Sequence, residues 1–193
     1  MAYDKETRLK LKEKADVLGD KRFTYAILRA FDFICSIEQP DGCLSTSVAL
    51  LVVLRSIGYA PKLCYGLCKT SEGYEFYHSW IELNKKVIDL AVYGNSHYSP
   101  FWLDGPLDPV IMEPYENTSV RYGDQVFDED WEECAIHYAI TNNTLLSYIE
   151  NAPWDGMWKL IFKLMNETYN SKRVRKMAEK IPDEPLMRNV ETS

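Results

Sequence analysis

The chain is organised around a stretch that reads GCLSTSVALLVVLRSIG, residues 42–58. In a helix formed by this segment, apolar side chains would lie on nearly every side. The pattern therefore predicts a buried central helix over residues 43–57 that ends at Gly58. Cys43 lies in the first turn of that helix, where unpaired backbone N–H groups and the helix dipole favour a thiolate. The other four of the five cysteines lack this setting, so Cys43 is the candidate nucleophile.

After this helix the sequence alternates with period two, which is typical of half-buried strands. We predict five strands, at residues 63–69, 74–83, 86–91, 110–112 and 120–122. Turns at residues 71–73 and 84–85 join the first three strands. Connections this short make the three strands an antiparallel meander.

The turn at Asn84-Lys85 decides which residues of the second and third strands meet. A two-residue loop there would pair Leu83 with Lys86 and place His78 and Asp89 on one face, about 7–8 Å apart at Cα. A slip of one residue would move them to opposite faces. The spacing therefore allows a histidine base, and an acid that orients it, beside a thiol nucleophile.

Helices are predicted on both sides of this core. Residues 4–18 form a weakly amphipathic surface helix, and residues 22–38 carry apolar side chains at the spacing of a core-facing helix. Residues 129–150, with a break at Asn142-Asn143, and roughly 155–180 form the C-terminal helices. The fold class is therefore α+β, with the Cys43 helix on an antiparallel sheet and helices flanking both.

The composition fits one globular domain. The chain has 193 residues, of which 46% are hydrophobic and 26% charged. We expect a single domain over residues 1–182. Its parts are N-terminal helices (1–38), a catalytic core (42–91), an irregular segment (92–128) and C-terminal helices (129–182), followed by a polar tail (183–193).

Net charge and cysteine content limit which classes of partner and which cellular compartment we expect for this chain. A net charge of −7 disfavours nucleic acid and anionic membrane surfaces. The start of the chain has no signal-peptide pattern, and its apolar runs are too short to span a bilayer. Five cysteines, an odd number, fit a reducing environment. We therefore expect a cytoplasmic protein that has no membrane contact and binds no nucleic acid.

Other cysteines and histidines suggest metal sites only weakly. Cys64 and Cys68 face the same way on one strand, about 13 Å apart along it, which is too far for both to grip one zinc ion. We predict that they are buried thiols, and that His97 and His137 are surface or packing residues. The sequence thus predicts neither a metal nor another cofactor.

Taken together, these stretches resemble the transglutaminase-like superfamily. The resemblance rests on a cysteine that opens an apolar helix ending in Leu54-Arg55 and Gly58, on HSWIEL at residues 78–83, and on VID at 87–89. Within the superfamily, the pattern is most similar to the leader peptidases of lasso-peptide biosynthesis, the C-terminal domain of the B protein. Ser79 stands where that family usually has alanine.

The resemblance implies a papain-like core with Cys43 as nucleophile, His78 as base and Asp89 as orienter. The N–H of Cys43 and the side chain of Gln39 are candidate oxyanion donors, and Trp80 could line a substrate pocket. Such an enzyme would cleave an amide bond of a peptide or protein, for example in removing a leader peptide. Because residues 1–38 do not resemble a winged-helix recognition domain, a separate protein could supply peptide recognition.

Two other functions remain open at this point. The same three residues could pass the acyl group to an amine, as in a transglutaminase or acyltransferase. Alternatively, the fold could serve as a binding module without catalysis. The presence of all three residues of the triad favours an enzyme.

Overall fold

Two helices open the fold in the computed structural model, which describes residues 5–36, 42–98, 107–123, 135–152, 157–182 and 185–186. Helix α1 (Lys5–Leu18) buries only Leu11 and Ala15 among its residues, as expected for a surface helix. Helix α2 (Lys21–Ser36) turns an apolar stripe to the core. It begins after Asp20, whose carboxylate accepts two backbone N–H groups of its first turn at 2.8 and 3.0 Å.

Helix α3 (Cys43–Ser56) is the predicted central helix. All residues from Cys43 to Leu54 are buried, because the helix is apolar on nearly every side and other elements surround it. It ends before Gly58, whose φ of 98° is the left-handed conformation that glycine adopts without strain.

The strands of the sheet are β1 (Lys62–Thr70), β2 (Glu75–Leu83), β3 (Lys86–Asp89), β4 (Val110–Pro114) and β5 (Val120–Tyr122). The sheet is curled and antiparallel throughout, with the strand order β4-β3-β2-β1-β5. Asn84 and Lys85 both have positive φ, at 53° and 60°, which matches the two-residue type I′ turn of a hairpin. The predicted pairing of Leu83 with Lys86 is confirmed.

The two faces of the sheet belong to different hydrophobic clusters. Leu63, Ile81 and Ile88 pack into the main core with α2 and α3. The opposite face forms a smaller cluster, which contains Cys64, Cys68, Trp80, Val87, Val92, Val110 and Val120. The α+β class, with the Cys43 helix packed on an antiparallel sheet and helices before and after it, is confirmed.

Residues 91–98 are a correction to the sequence prediction. The third strand ends at Asp89 rather than at residue 91, and helix α4 (Ala91–Tyr98) occupies the start of the segment expected to be irregular. The helix begins there because Asp89 Oδ1 accepts the backbone N–H of Val92 at 3.0 Å. A Cβ at Gly94 would lie 2.6 Å from the Ile34 side chain, so this glycine allows α4 to pack closely on α2.

The C-terminal region contains one helix more than predicted within its described residues. Its helices are α5 (Ala135–Asn142), α6 (Leu145–Asn151), α7 (Trp158–Leu164) and α8 (Ser171–Ala178). The break near Asn142 is confirmed. The single helix over 155–180 is wrong, because Asn166 has a positive φ of 57° and Asn170 caps a new helix through the N–H groups of Lys172 and Arg173.

Candidate active site

Cys43 is the first residue of α3 and is almost completely buried. It packs against Ile34 of α2 and Ala91 of α4. Among the described residues, no side chain caps the helix at Gly42. The backbone N–H groups of the first turn and the positive end of the helix dipole therefore act directly on the cysteine.

His78 and Asp89 form a buried pair on the neighbouring strands. His78 Nε2 lies 2.8 Å from Asp89 Oδ2, and both side chains are shielded from solvent. The register of β2 and β3, in which Ile81 faces Ile88, brings the two residues onto one face. The structure thus brings together a histidine and an acid whose spacing in the sequence only allowed such a pair.

Asp89 is held by two further hydrogen bonds. Its Oδ1 accepts the N–H of Val92 at 3.0 Å, and its Oδ2 accepts the hydroxyl of Tyr122 at 2.8 Å. Tyr122 comes from β5, on the far side of β1, so the curl of the sheet is what brings it to Asp89. No sequence signal marked Tyr122, because the contact depends on a strand order that no local pattern encodes.

Electrostatics around the thiol and the imidazole favour their charged forms. Burial lowers the pKa of His78, but the charge and hydrogen bond of Asp89, together with the interaction with Cys43, outweigh burial and raise the pKa to about 10. Burial raises the pKa of Cys43, but the hydrogen bond and charge of His78, with a smaller contribution from Ser79, outweigh burial and lower the pKa overall. Because Nε2 of His78 faces Asp89, Nδ1 is the nitrogen that can exchange a proton with Cys43.

The two strand cysteines have the opposite electrostatics. Burial is the main cause that raises the pKa of Cys64 to about 12. Burial also raises the pKa of Cys68 well above its ordinary value, with a further contribution from the charge of Asp89. Both side chains pack in the small cluster on the sheet. Within the described residues, no three His, Cys, Asp or Glu side chains come together as a metal site.

Of the two residues suggested for substrate or oxyanion binding, Trp80 lies among the described residues and Gln39 does not. The indole N–H of Trp80 donates to the hydroxyl of Tyr115 at 3.2 Å, and that hydroxyl donates to Glu82 at 2.8 Å. The Trp80 ring also packs on Tyr122, with centroids 4.9 Å apart. The indole N–H of Trp80 therefore already bonds to another side chain of the protein. Gln39 lies outside the described residues.

The C-terminal helices reach the start of α3, the helix that Cys43 opens. Tyr148 of α6 lies with its hydroxyl 3.0 Å from the hydroxyl of Ser45, two residues after Cys43. Burial is the main cause that raises the pKa of Tyr148, so its hydroxyl stays protonated, and the charge of Cys43 adds to this. A tyrosine far along the chain thus fixes the first turn of α3 from outside the sheet.

The histidines that the sequence assigned to surface or packing roles lie on helices, His97 on α4 and His137 on α5.

No helix in the described part of the chain combines the length and apolar character needed to cross a membrane.

Comparison with known proteins places this arrangement in a family. A family model described as "Transglutaminase-like superfamily" matches residues 4–102, just over half of the chain and including α1 to α4. No curated protein and no solved structure gives a significant match. The superfamily is typically enzymatic, with cysteine peptidases and acyltransferases among its activities. On the extent of the match, and with a cysteine-bearing helix packed on an antiparallel sheet, the chain belongs to the transglutaminase-like superfamily.

Proposed function

We propose that this protein is a cysteine hydrolase that cleaves an amide bond of a peptide substrate through an acyl-enzyme. Cys43 is the nucleophile, His78 its acid and base, and Asp89 the residue that orients the imidazole. The observation that carries the proposal is the buried His78–Asp89 pair, 2.8 Å apart, next to a thiol whose pKa is lowered by that same histidine. Structural thiols in an apolar core have the opposite shift.

The first half of the reaction forms the acyl-enzyme. The Cys43 thiolate bonds to the substrate carbonyl carbon, and the carbonyl electrons move to oxygen. The N–H of Cys43 at the start of α3 can donate to this oxyanion, and Gln39 is a second candidate donor. The carbon–nitrogen bond then breaks as His78 Nδ1 transfers its proton to the leaving amine, which leaves a thioester and a neutral imidazole.

The second half restores the enzyme. Neutral His78 takes a proton from water while the water oxygen bonds to the acyl carbon, and the carbon–sulfur bond then breaks. The acid product leaves, and the thiolate and imidazolium form again. Asp89 keeps Nε2 protonated throughout, so that Nδ1 always faces the reacting atoms.

A peptide substrate is proposed because the sequence resembles leader peptidases at residues 43–59 and 78–89. The leader segment of a modified peptide is the specific candidate, and a partner protein would then present it. If an amine replaces water in the second half, the same residues catalyse acyl transfer. Products formed from a peptide substrate with and without added amine distinguish the two, because only acyl transfer yields the substituted amide.

The proposal is tested by the alkylation rate of each cysteine as a function of pH. Iodoacetamide labelling is quantified by peptide mass spectrometry in the wild type and in His78→Ala. Cys43 should react well below pH ~8.5, the pKa of a free thiol, and His78→Ala should slow this reaction at low pH. If Cys43 reacts no faster than the other cysteines, the protein is not a thiol enzyme, and a binding role that survives Cys43→Ala takes its place.

A further inference from the structure

At Ser79, next to His78, the edge of β2 is not paired with β3 and faces the first turns of α3. Strand β3 is short and pairs with β2 only from Ile81 to Leu83, so it does not cover β2 at Ser79. Helix α3 packs there instead, and Ser47 Oγ donates to the backbone carbonyl of Ser79 at 3.1 Å. Cys43 precedes Ser47 by four residues and therefore lies on the same face of the helix.

This geometry directs the Ser79 backbone at Cys43. In an antiparallel sheet, the N–H and C=O of one residue point to the same strand edge. Since the carbonyl of Ser79 points at Ser47, its N–H points to the same edge of β2, towards α3. The Ser79 N–H is accordingly one of the groups that lower the pKa of Cys43, after burial, which raises it, and His78.

The Ser79 hydroxyl is the second donor in this place. Its side chain is completely buried, yet within the described part of the protein its Oγ has no hydrogen-bond partner. A buried hydroxyl without a partner is unfavourable. A neutral thiol is a weak acceptor, whereas a thiolate is a strong one, so ionisation of Cys43 gives this hydroxyl the partner that it otherwise lacks.

We propose that Ser79 is a thiolate-binding residue, whose hydroxyl and backbone N–H donate to the Cys43 sulfur from the open edge of β2. The inference rests on the proposed function of Cys43 as nucleophile. In the resting enzyme the two donors stabilise the thiolate. When the sulfur bonds to the acyl carbon it loses its charge, and the hydroxyl bond weakens. When the carbon–sulfur bond breaks again, Ser79 stabilises the leaving thiolate and so favours hydrolysis of the thioester.

A purely structural role for Ser79 makes a different prediction. Its contact with Ser47 uses the backbone carbonyl, which Ser79→Ala retains. Ser79→Ala therefore removes only the hydroxyl, while Ser47→Ala removes the link between α3 and β2 and keeps the hydroxyl. These two variants form a matched pair, and Ser79→Thr, which restores a hydroxyl, serves as a rescue.

The test is the pH profile of Cys43 alkylation by iodoacetamide, measured on the full chain by peptide mass spectrometry. We expect Ser79→Ala to raise the apparent pKa of Cys43 by about one unit, which slows alkylation about tenfold at a pH below both values. Ser47→Ala should leave the profile in place, Ser79→Thr should restore it, and thermal melting should show that every variant is folded.

Three outcomes would overturn or redirect these conclusions. If Ser79→Ala gives the wild-type profile while His78→Ala shifts it, Ser79 only packs, and the proposed function stands. If Ser47→Ala shifts the profile as much as Ser79→Ala, the effect comes from helix placement and the role of the hydroxyl is refuted. If Cys43 is no more reactive than the other cysteines in the wild type, the proposed function itself fails.

Discussion

Cys43 and Cys68 are both buried cysteines of the same domain, and the pKa values of their thiols are shifted in opposite directions. The pKa of Cys68 is raised well above its ordinary value, chiefly by burial. The pKa of Cys43 is lowered although burial acts on it in the same direction. Burial alone therefore does not set the chemistry of a thiol here, and the donors around the sulfur decide it.

The difference follows from where each residue lies in its element. Cys43 opens a helix and faces the edge of β2, where it meets the imidazole of His78 and the donors of Ser79. Cys68 lies within β1, and its side chain packs in the small cluster beside the negatively charged Asp89. A cation stabilises the first thiolate, and an anion destabilises the second.

The strongest test of this contrast exchanges each thiol for alanine. Cys43→Ala should lower steady-state hydrolysis of p-nitrophenyl acetate at least about a thousandfold, because the nucleophile is removed. Cys68→Ala should retain most of the activity and instead lower the free energy of unfolding by about 1 kcal/mol through the small cavity it leaves. Nitrophenol release beyond one equivalent per chain and urea denaturation measure the two effects. Equal losses of activity in both variants would contradict the contrast.

A second prediction concerns how the free energy of unfolding depends on pH. Under the proposed function the folded chain holds a thiolate and an imidazolium, in line with the lowered pKa of Cys43 and the raised pKa of His78, whereas between about pH 6.5 and 8.5 the unfolded chain holds a thiol and a neutral imidazole. Both states bind the same number of protons at these two sites, so the pair contributes no pH dependence there. In Cys43→Ala, His78 is the only member of this pair that can still titrate. Its folded pKa, raised by Asp89, makes its stabilisation complete below about pH 6.5 and lost as the pH rises towards 10.

We therefore expect Cys43→Ala to lose about 2 kcal/mol more stability than the wild type between pH 6.5 and 8.5. Urea denaturation at a series of pH values gives the difference in unfolding free energy between Cys43→Ala and the wild type. The other titrating groups are common to both proteins, so their contributions cancel in this difference. Cys68→Ala keeps the ion pair and should parallel the wild type. A Cys43→Ala curve parallel to the wild type would mean that the resting site holds no thiolate–imidazolium pair.

The smallest expected effect sharpens the role of Tyr122. Tyr122→Phe removes the hydroxyl that donates to Asp89 Oδ2, so the carboxylate is less well fixed beside His78. We expect a fall of about tenfold in kcat with little change in KM, since hydrogen bonds to charged groups contribute about 1.5–3 kcal/mol. Steady-state kinetics on the same ester measures both constants.

Tyr115→Phe is the matched control for this variant. Tyr115 lies next to Tyr122, with ring centroids 6.2 Å apart, but its hydroxyl bonds to Trp80 and Glu82 rather than to Asp89. It should leave kcat close to the wild-type value. Equal effects of the two substitutions would mean that packing of the aromatic cluster, and not the bond to Asp89, is responsible.

Local patterns in the sequence predict the helix and strands that carry the candidate site. The apolar run after Cys43 predicted a buried helix, and the Asn84-Lys85 turn favoured the register that brings His78 and Asp89 together, although the spacing alone left a slip of one residue open. These are local effects, because a helix stripe, a strand alternation and a type I′ turn each depend on residues that are neighbours in the chain. Local patterns failed at residues 92–98, which were expected to be irregular, because the close packing of Gly94 on α2 is a contact between distant parts of the chain.

The further groups that surround Cys43 and Asp89 follow from contacts between distant parts of the chain. Tyr122 reaches Asp89 because the sheet curls with β5 at one edge, and Ser79 faces Cys43 because β3 stops after four residues. Tyr148 reaches the first turn of α3 across more than one hundred positions of the chain. Such contacts depend on strand order and helix placement, which arise from the packing of the whole core and leave no periodic signal in the sequence.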